Sequence, residues 1–215
     1  MKRLILFCGA LLMSGAVFAQ ENVMHIAKLE VPKRKKHMLR ANNPKDSTLN
    51  VMIDTLIIND KADLQFFEVK KALVTVKHAV IGKQGIISGM DAHNNGTNME
   101  LKMRFDAIGS LFIISRGADY QTRPKFGNGD GGNVKLEYDS SGATPQFDDH
   151  RTERYVGVLN PGGGKAVNPW TDMYVIRSRI AMGSGVIGRP LTNLPQGRVY
   201  DGTPGTDGKK IIGKF

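Results

Sequence analysis

The densest gathering of reactive side chains in this sequence is FDDHRTER, which holds Asp148, Asp149, His150, Arg151, Glu153 and Arg154. Two carboxylates beside a histidine have the chemistry of glycoside cleavage, one acid protonating the leaving oxygen while the other activates water. Asp148, Asp149 and His150 are therefore the catalytic candidates. Against them, neighbouring side chains on an extended chain point to opposite faces, so adjacent aspartates do not readily converge. A charged surface loop accounts for the same residues. The histidines His25, His37, His78, His93 and His150 contain no pair at metal-ligand spacing, and no serine lies in a nucleophile elbow. Trp170, in NPWTD, offers a ring on which a sugar could stack. On these grounds the chain reads as non-enzymatic, with no metal and no cofactor expected.

The loop GNGDGGN, residues 127–133, invites three readings. A phosphate cradle needs a strand before the glycines and a helix N-terminus after them, whereas here the alternating segment VKLEY follows. Calcium-binding nonapeptides of β-rolls pair glycine with aspartate, but Asp130 stands out of place for that repeat, and one copy does not supply 6–8 oxygens. The remaining reading is a tight corner leading into the strand of Val134, Leu136 and Tyr138.

The third candidate is electrostatic. The formal charge is +10, and residues 20–48 carry Lys28, Lys33, Arg34, Lys35, Lys36, Arg40 and Lys45 against Glu21, Glu30 and Asp46. Such an arm attracts acidic polysaccharide or anionic groups of a cell envelope, with Lys33, Arg34, Lys35 and Lys36 as its densest run. It has no interleaved aromatics, so nucleic acid is not expected as a partner. Ahead of it, MKRLILFCGALLMSGAVFA has the basic start, apolar run and small-residue end of a secretory signal peptide, residues 1–19. The run is shorter than the ~20 apolar residues of a membrane span. Cleavage after Ala19 would remove Cys8, the single cysteine, and the mature chain would have neither thiol nor disulfide.

The elements that must position these groups are strands. Apolar clusters recur through residues 49–126, at Leu56 to Ile58, Leu64 to Val69, Leu73 to Val76, Ala79 to Ile81 and Ile86 to Ile87, rich in the β-branched residues that favour sheet. The joints FEVKKALV and VTVKHAVI lack the Gly, Asn or Asp that a hairpin turn demands. They read as bends of a solenoid, where the chain turns and continues in the same sense. In NMELKMRFDAIGSLFIIS, Met99, Leu101, Met103 and Phe105 alternate with charged residues, which marks a strand with one buried face. Lys61-Ala62 and Lys71-Ala72, ten residues apart, hint at a repeat. The sequon Asn95-Gly96-Thr97 reads as a turn.

Residues 127–215 contain 17 of the 25 glycines. They read as an extension of the β core with long loops, strands near Val134–Tyr138 and Met173–Met182, and a flexible tail in which DGTPGTDGKK forms three Gly-X-Y triplets. A Val/Ile-rich block, then GIISGMDAHNNGTNMELKMRFDAIGSLFIISRGADY, then GDGGNVKLEY and finally GTPGTDG together resemble secreted bacterial glycine-rich proteins with β-solenoid character and collagen-like triplets. That resemblance implies a surface or extracellular structural protein with no catalytic residues to carry over. The expected architecture is all-β, a short right-handed β-solenoid with a β-sandwich as the alternative. The expected function is an exported structural, surface or adhesion-type protein. A glycan-binding or glycan-cleaving β-helix and a polyanion-binding envelope protein are the alternatives.

Overall fold

In the computed structural model, residues 23–41, 47–119, 122–123, 126–164 and 203–215 are described. They contain eleven strands and no helix: β1 (Val23–Val31), β2 (Lys36–Leu39), β3 (Thr48–Ile58), β4 (Asp63–Phe67), β5 (Lys71–Ile81), β6 (Gly85–Met90), β7 (Asn98–Ile108), β8 (Ser110–Ile114), β9 (Val134–Tyr138), β10 (Tyr155–Leu159) and β11 (Lys210–Lys214). Odd strands form one sheet, β1-β3-β5-β7-β9-β11, and even strands the other, β10-β8-β6-β4-β2. Every strand pairing within the sheets is parallel. The chain thus passes from one sheet to the other and back, laying each strand beside its counterpart of the previous coil. This is a β-solenoid, as expected, and the sandwich alternative falls, because its hairpins and Greek keys are antiparallel.

The burial pattern explains why the sequence bends where it does. Along β3, Leu49, Val51 and Ile53 face inward, then Asp54 and Thr55 both face out, and Leu56 and Ile58 face inward again. The same two-residue break falls at Lys77-His78 in β5 and Asp106-Ala107 in β7. Strict alternation has period 2, so two consecutive outward residues mark a bend. The breaks of β3 and β5 stack, with Thr55 opposite His78, while that of β7 is displaced to the other side of the Ala79–Phe105 pair by register shifts between β5 and β7. VTVKHAVI is therefore a bend, but one inside a continuous strand.

The core lies between the sheets, with Phe66, Phe105, Ile53, Leu56, Leu101 and Ile113 at or near zero exposure. Each such side chain contributes about 1.5–3 kcal/mol on burial. Val31, Ile58, Ile81 and Ile108 stack in register, 27, 23 and 27 residues apart. That spacing is the true repeat; of the Lys-Ala pairs ten residues apart, Lys61-Ala62 lies in the turn before β4 and Lys71-Ala72 opens β5. Residues 23–31 and 36–39, assigned from sequence to a basic arm, are the first coil.

The glycine-rich half is built differently. Four segments, 115–119, 127–133, 160–164 and 203–209, run alongside one another. The Gly129 N–H donates to the Ala118 carbonyl, that of Gly163 to Gly129, and that of Gly205 to Gly163, at 2.8–3.0 Å. A Cβ on Gly117 or Gly205 would overlap the Gly129 carbonyl, and one on Gly163 the Ala118 carbonyl. This is the packing logic of collagen, in which only glycine fits between adjacent backbones. The described part of the triplets, residues 203–209, is part of this bundle and leads into β11, which pairs with β9; the expected flexible tail instead ends in a strand. The signal-like residues 1–19, Trp170 and the strand candidate Met173–Met182 lie outside the described residues.

Gly129→Ala and Gly163→Ala would each force backbone against backbone, at the upper end of the roughly 1–3 kcal/mol cost of overpacking. Gly213→Ala, with nothing within 4 Å of the added carbon, is expected to be nearly neutral. Urea unfolding midpoints of the three variants check this; equal midpoints would contradict the close packing.

Candidate functional site

The first four odd strands, β1, β3, β5 and β7, each reach their even successor through a tight corner, and these corners stack. In the first, the Lys35 N–H donates to the Pro32 carbonyl and Arg34 has φ 58°. In the second, Ala62 donates to Asn59 and Lys61 has φ 57°. In the third, Gln84 takes φ 57°. A turn whose third residue needs positive φ ordinarily uses Gly or Asn there. Here it is Arg, Lys and Gln, long side chains in a backbone region that costs on the order of 1–3 kcal/mol unless the surroundings impose it. The surroundings do impose it: the Arg34 N–H donates to the Asp60 carbonyl at 3.0 Å and that of Lys61 to the Lys83 carbonyl at 2.9 Å.

The fourth corner is one residue shorter. Four residues separate Ile81 from Ile86, but three separate Ile108 from Phe112, although both pairs are in register. Gly109 and Ser110 occupy it, and the Ser110 Oγ accepts the Gln84 N–H at 2.7 Å. The short corner is the floor of an open groove of about 480 Å³. One wall carries Lys33, Arg34, Lys61 and Lys83, the other His150, Arg151 and Glu153.

The charges in this groove are unequally matched. Lys33 Nζ lies 3.4 Å from Asp60, and outside the groove Lys36 lies 3.5 Å from Asp63. Among the described residues, Arg34, Lys61, Lys83 and Arg151 form no ion pair. The ridge at the mid-sheet bend is the opposite case. There Asp54 binds His25 at 3.0 Å and Lys77 at 2.8 Å, and Asp106 binds His78 at 2.9 Å. One ridge is compensated along its length and the other keeps an excess of positive charge.

Of the residues chosen from sequence, Lys33, Arg34 and His150 come together in this groove, whereas Lys35 is exposed beside it and Lys36 is paired. Asp148 and Asp149 do not line it. The Asp149 carboxylate accepts the Arg151 N–H at 2.8 Å and its carbonyl the Thr152 hydroxyl at 2.7 Å, so this residue shapes a turn. Among the described residues no three His, Cys, Asp or Glu side chains are grouped to hold a metal ion. Asp130, the one acid of GNGDGGN, is engaged with the Thr206 N–H at 2.7 Å and hydroxyl at 2.9 Å. In the sequon, Thr97 is buried and donates to the Val69 carbonyl. Sequence reasoning missed Lys61, Lys83 and Ser110, and named Arg151 only as a member of the FDDHRTER cluster. The coil spacing of 23 and 27 residues would have linked Lys61 to Arg34, but nothing in the sequence displays that spacing.

Comparison with protein-family models, with curated proteins and with solved structures gave no match.

Asp60 ties two corners together, and its carboxyl is held below its ordinary value of 3.8, first by the Lys83 N–H and then by Lys33. A carboxyl lowered in the folded state adds stability above its unfolded value, and that stability is lost as pH falls through the folded value. Asp60→Asn is therefore expected to flatten the decline of the urea midpoint below about pH 4. An unchanged acid limb would mean that the carboxylate bridges nothing in solution.

Proposed function

We propose that this protein is an exported, non-catalytic binding protein of the cell envelope or surface that holds an acidic polysaccharide along its corner groove. One observation carries the reading: three successive corners each place a cation that forms no ion pair among the described residues, Arg34, Lys61 and Lys83, on one edge, while the basic side chains of the neighbouring ridge are matched by Asp54 and Asp106. Positive potential concentrated in a cleft raises the local concentration of anions. The groove is open and spans several coils, which suits a chain better than a compact ligand. Long cationic side chains in left-handed positions support the same reading, since glycine would satisfy the backbone there but present no charge. The signal-like start of the sequence supports export.

The test is binding of polygalacturonate at low salt. Each exposed charge contact is worth about 0.5–1 kcal/mol, so Arg34→Ser, Lys61→Ser and Lys83→Ser combined should weaken binding about ten- to hundredfold. Binding by the unaltered chain should also fall between about 10 mM and 150 mM salt, as the Debye length shrinks from ~30 Å to ~8 Å. Undiminished affinity in the triple variant overturns the proposal. So does binding to lipopolysaccharide vesicles with no binding to the polymer, which would assign the edge to a membrane surface.

Lys61→Gly separates charge from backbone. It is expected to keep the native urea midpoint or raise it, because glycine accepts positive φ without strain, while affinity for the polymer drops. A lower midpoint with unchanged affinity would reverse both assignments.

A further inference from the structure

We infer that the groove reads the spacing of charge along its ligand, taking a polysaccharide that lies parallel to the solenoid axis with carboxylates on consecutive sugars, one for each coil. The inference rests on the polyanion reading above and names the ligand class of the same site. Its basis is the register of the corners. Val31, Ile58 and Ile81 stack directly, so the corner residues that follow them stack as well, one coil rising on the last by the inter-strand distance of about 4.8 Å. Arg34 and Lys61 occupy the same position of adjacent corners, both with φ near 57°. Lys83 stands one position earlier on the next corner.

The neighbouring column makes the path specific. At the preceding position the three corners carry Lys33, Asp60 and Lys83. Asp60 interrupts that column with a negative charge and already engages Lys33 at 3.4 Å. A ligand carboxylate level with the second coil is repelled by Asp60 and drawn to Lys61. The row of usable cations is therefore Arg34, Lys61 and Lys83, one per coil, with no coil skipped. At the fourth coil the shortened corner offers the Ser110 hydroxyl, whose oxygen accepts from Gln84 and whose hydrogen remains to be donated. Beyond it Arg151 closes the groove. A chain charged at every second sugar would leave alternate cations unmatched.

Total charge and charge spacing are separated by two preparations of partly methyl-esterified polygalacturonate with equal length and equal ester content, one with its free carboxylates in consecutive blocks and the other with them scattered. The protein is expected to bind the block form about tenfold more tightly at one low ionic strength, equivalent to about 1.4 kcal/mol. Lys61→Ser, which opens a gap of two coils, should erase most of that preference. Lys70→Ser, a control outside the groove, should retain it. Equal affinity for both preparations overturns this inference and leaves the polyanion reading standing. A preference that survives Lys61→Ser also overturns it. If neither preparation binds, the polyanion reading itself fails.

Discussion

The molecule depends on one requirement: each coil must offer its backbone hydrogen-bonding groups to the next coil in parallel register. A parallel strand cannot be satisfied by its neighbour in sequence, because the partner must first be reached by a crossover. Here the crossover is itself a strand of the opposite sheet, so satisfying one sheet builds the other. The requirement extends into the corners, where the Arg34 and Lys61 N–H groups donate to carbonyls of the following coil. Residues at equivalent positions of different coils are thereby stacked, whatever their chemistry. Apolar residues stacked inward become the core. Charged residues stacked outward become ridges running the length of the molecule.

The two ridges show how one scaffold yields opposite electrostatics. At the mid-sheet bend, acids and bases alternate between coils: Asp54 is bonded to His25 and Lys77, and Asp106 to His78 and Arg104. Those contacts are exposed and individually weak, but they leave little net charge. At the turn corner the acid of the second coil, Asp60, is committed to Lys33 and to the Lys83 backbone, and among the described residues Arg34, Lys61 and Lys83 form no ion pair. Repulsion among stacked like charges opposes folding. It is tolerated because the side chains are long, exposed and screened by solvent, while their backbones are pinned by the ladder.

The glycine-rich segments meet the same requirement by another route. Beyond β8 the connections lengthen, while Val134, Leu136 and Val156 continue the core. In those connections the chain lays bare backbones against one another, with the Gly117, Gly129, Gly131, Gly132, Gly163, Gly205 and Gly208 N–H groups donating to neighbouring carbonyls and those of Gly162 and Gly164 to the Asp207 and Asp119 carboxylates. Asp130, Asp207, Asn133 and Asn160 complete the pairing with side-chain oxygens or amides bonded to backbone groups. The described segments of the glycine-rich half, read from sequence as an extension of the β core with long loops, join the sheets, and β11 lies at the edge of β9. The strand YVGVL escaped sequence reading for a related reason: Gly157 interrupts its apolar pattern, and a Cβ there would collide with the Tyr155 ring.

By itself the sequence determined the class of structure. β-branched clusters, alternation in Met99 to Phe105, and joints without hairpin residues are local properties, and they required an all-β chain that bends and continues. They also showed the charge excess around Lys33 to Lys36, whereas GNGDGGN, read from sequence as a tight corner, is one of the parallel runs of the glycine bundle. Tertiary structure alone decided the rest. Arg34, Lys61, Lys83 and Arg151 are scattered over more than a hundred residues, and they meet only because coils of unequal length stack in register. The same stacking left Asp148 and Asp149 on a surface turn and made strands of residues read as an arm and a tail. Local propensity sets what a segment becomes, but which residues share an edge is set by the length of each coil, which is written only in the pairing.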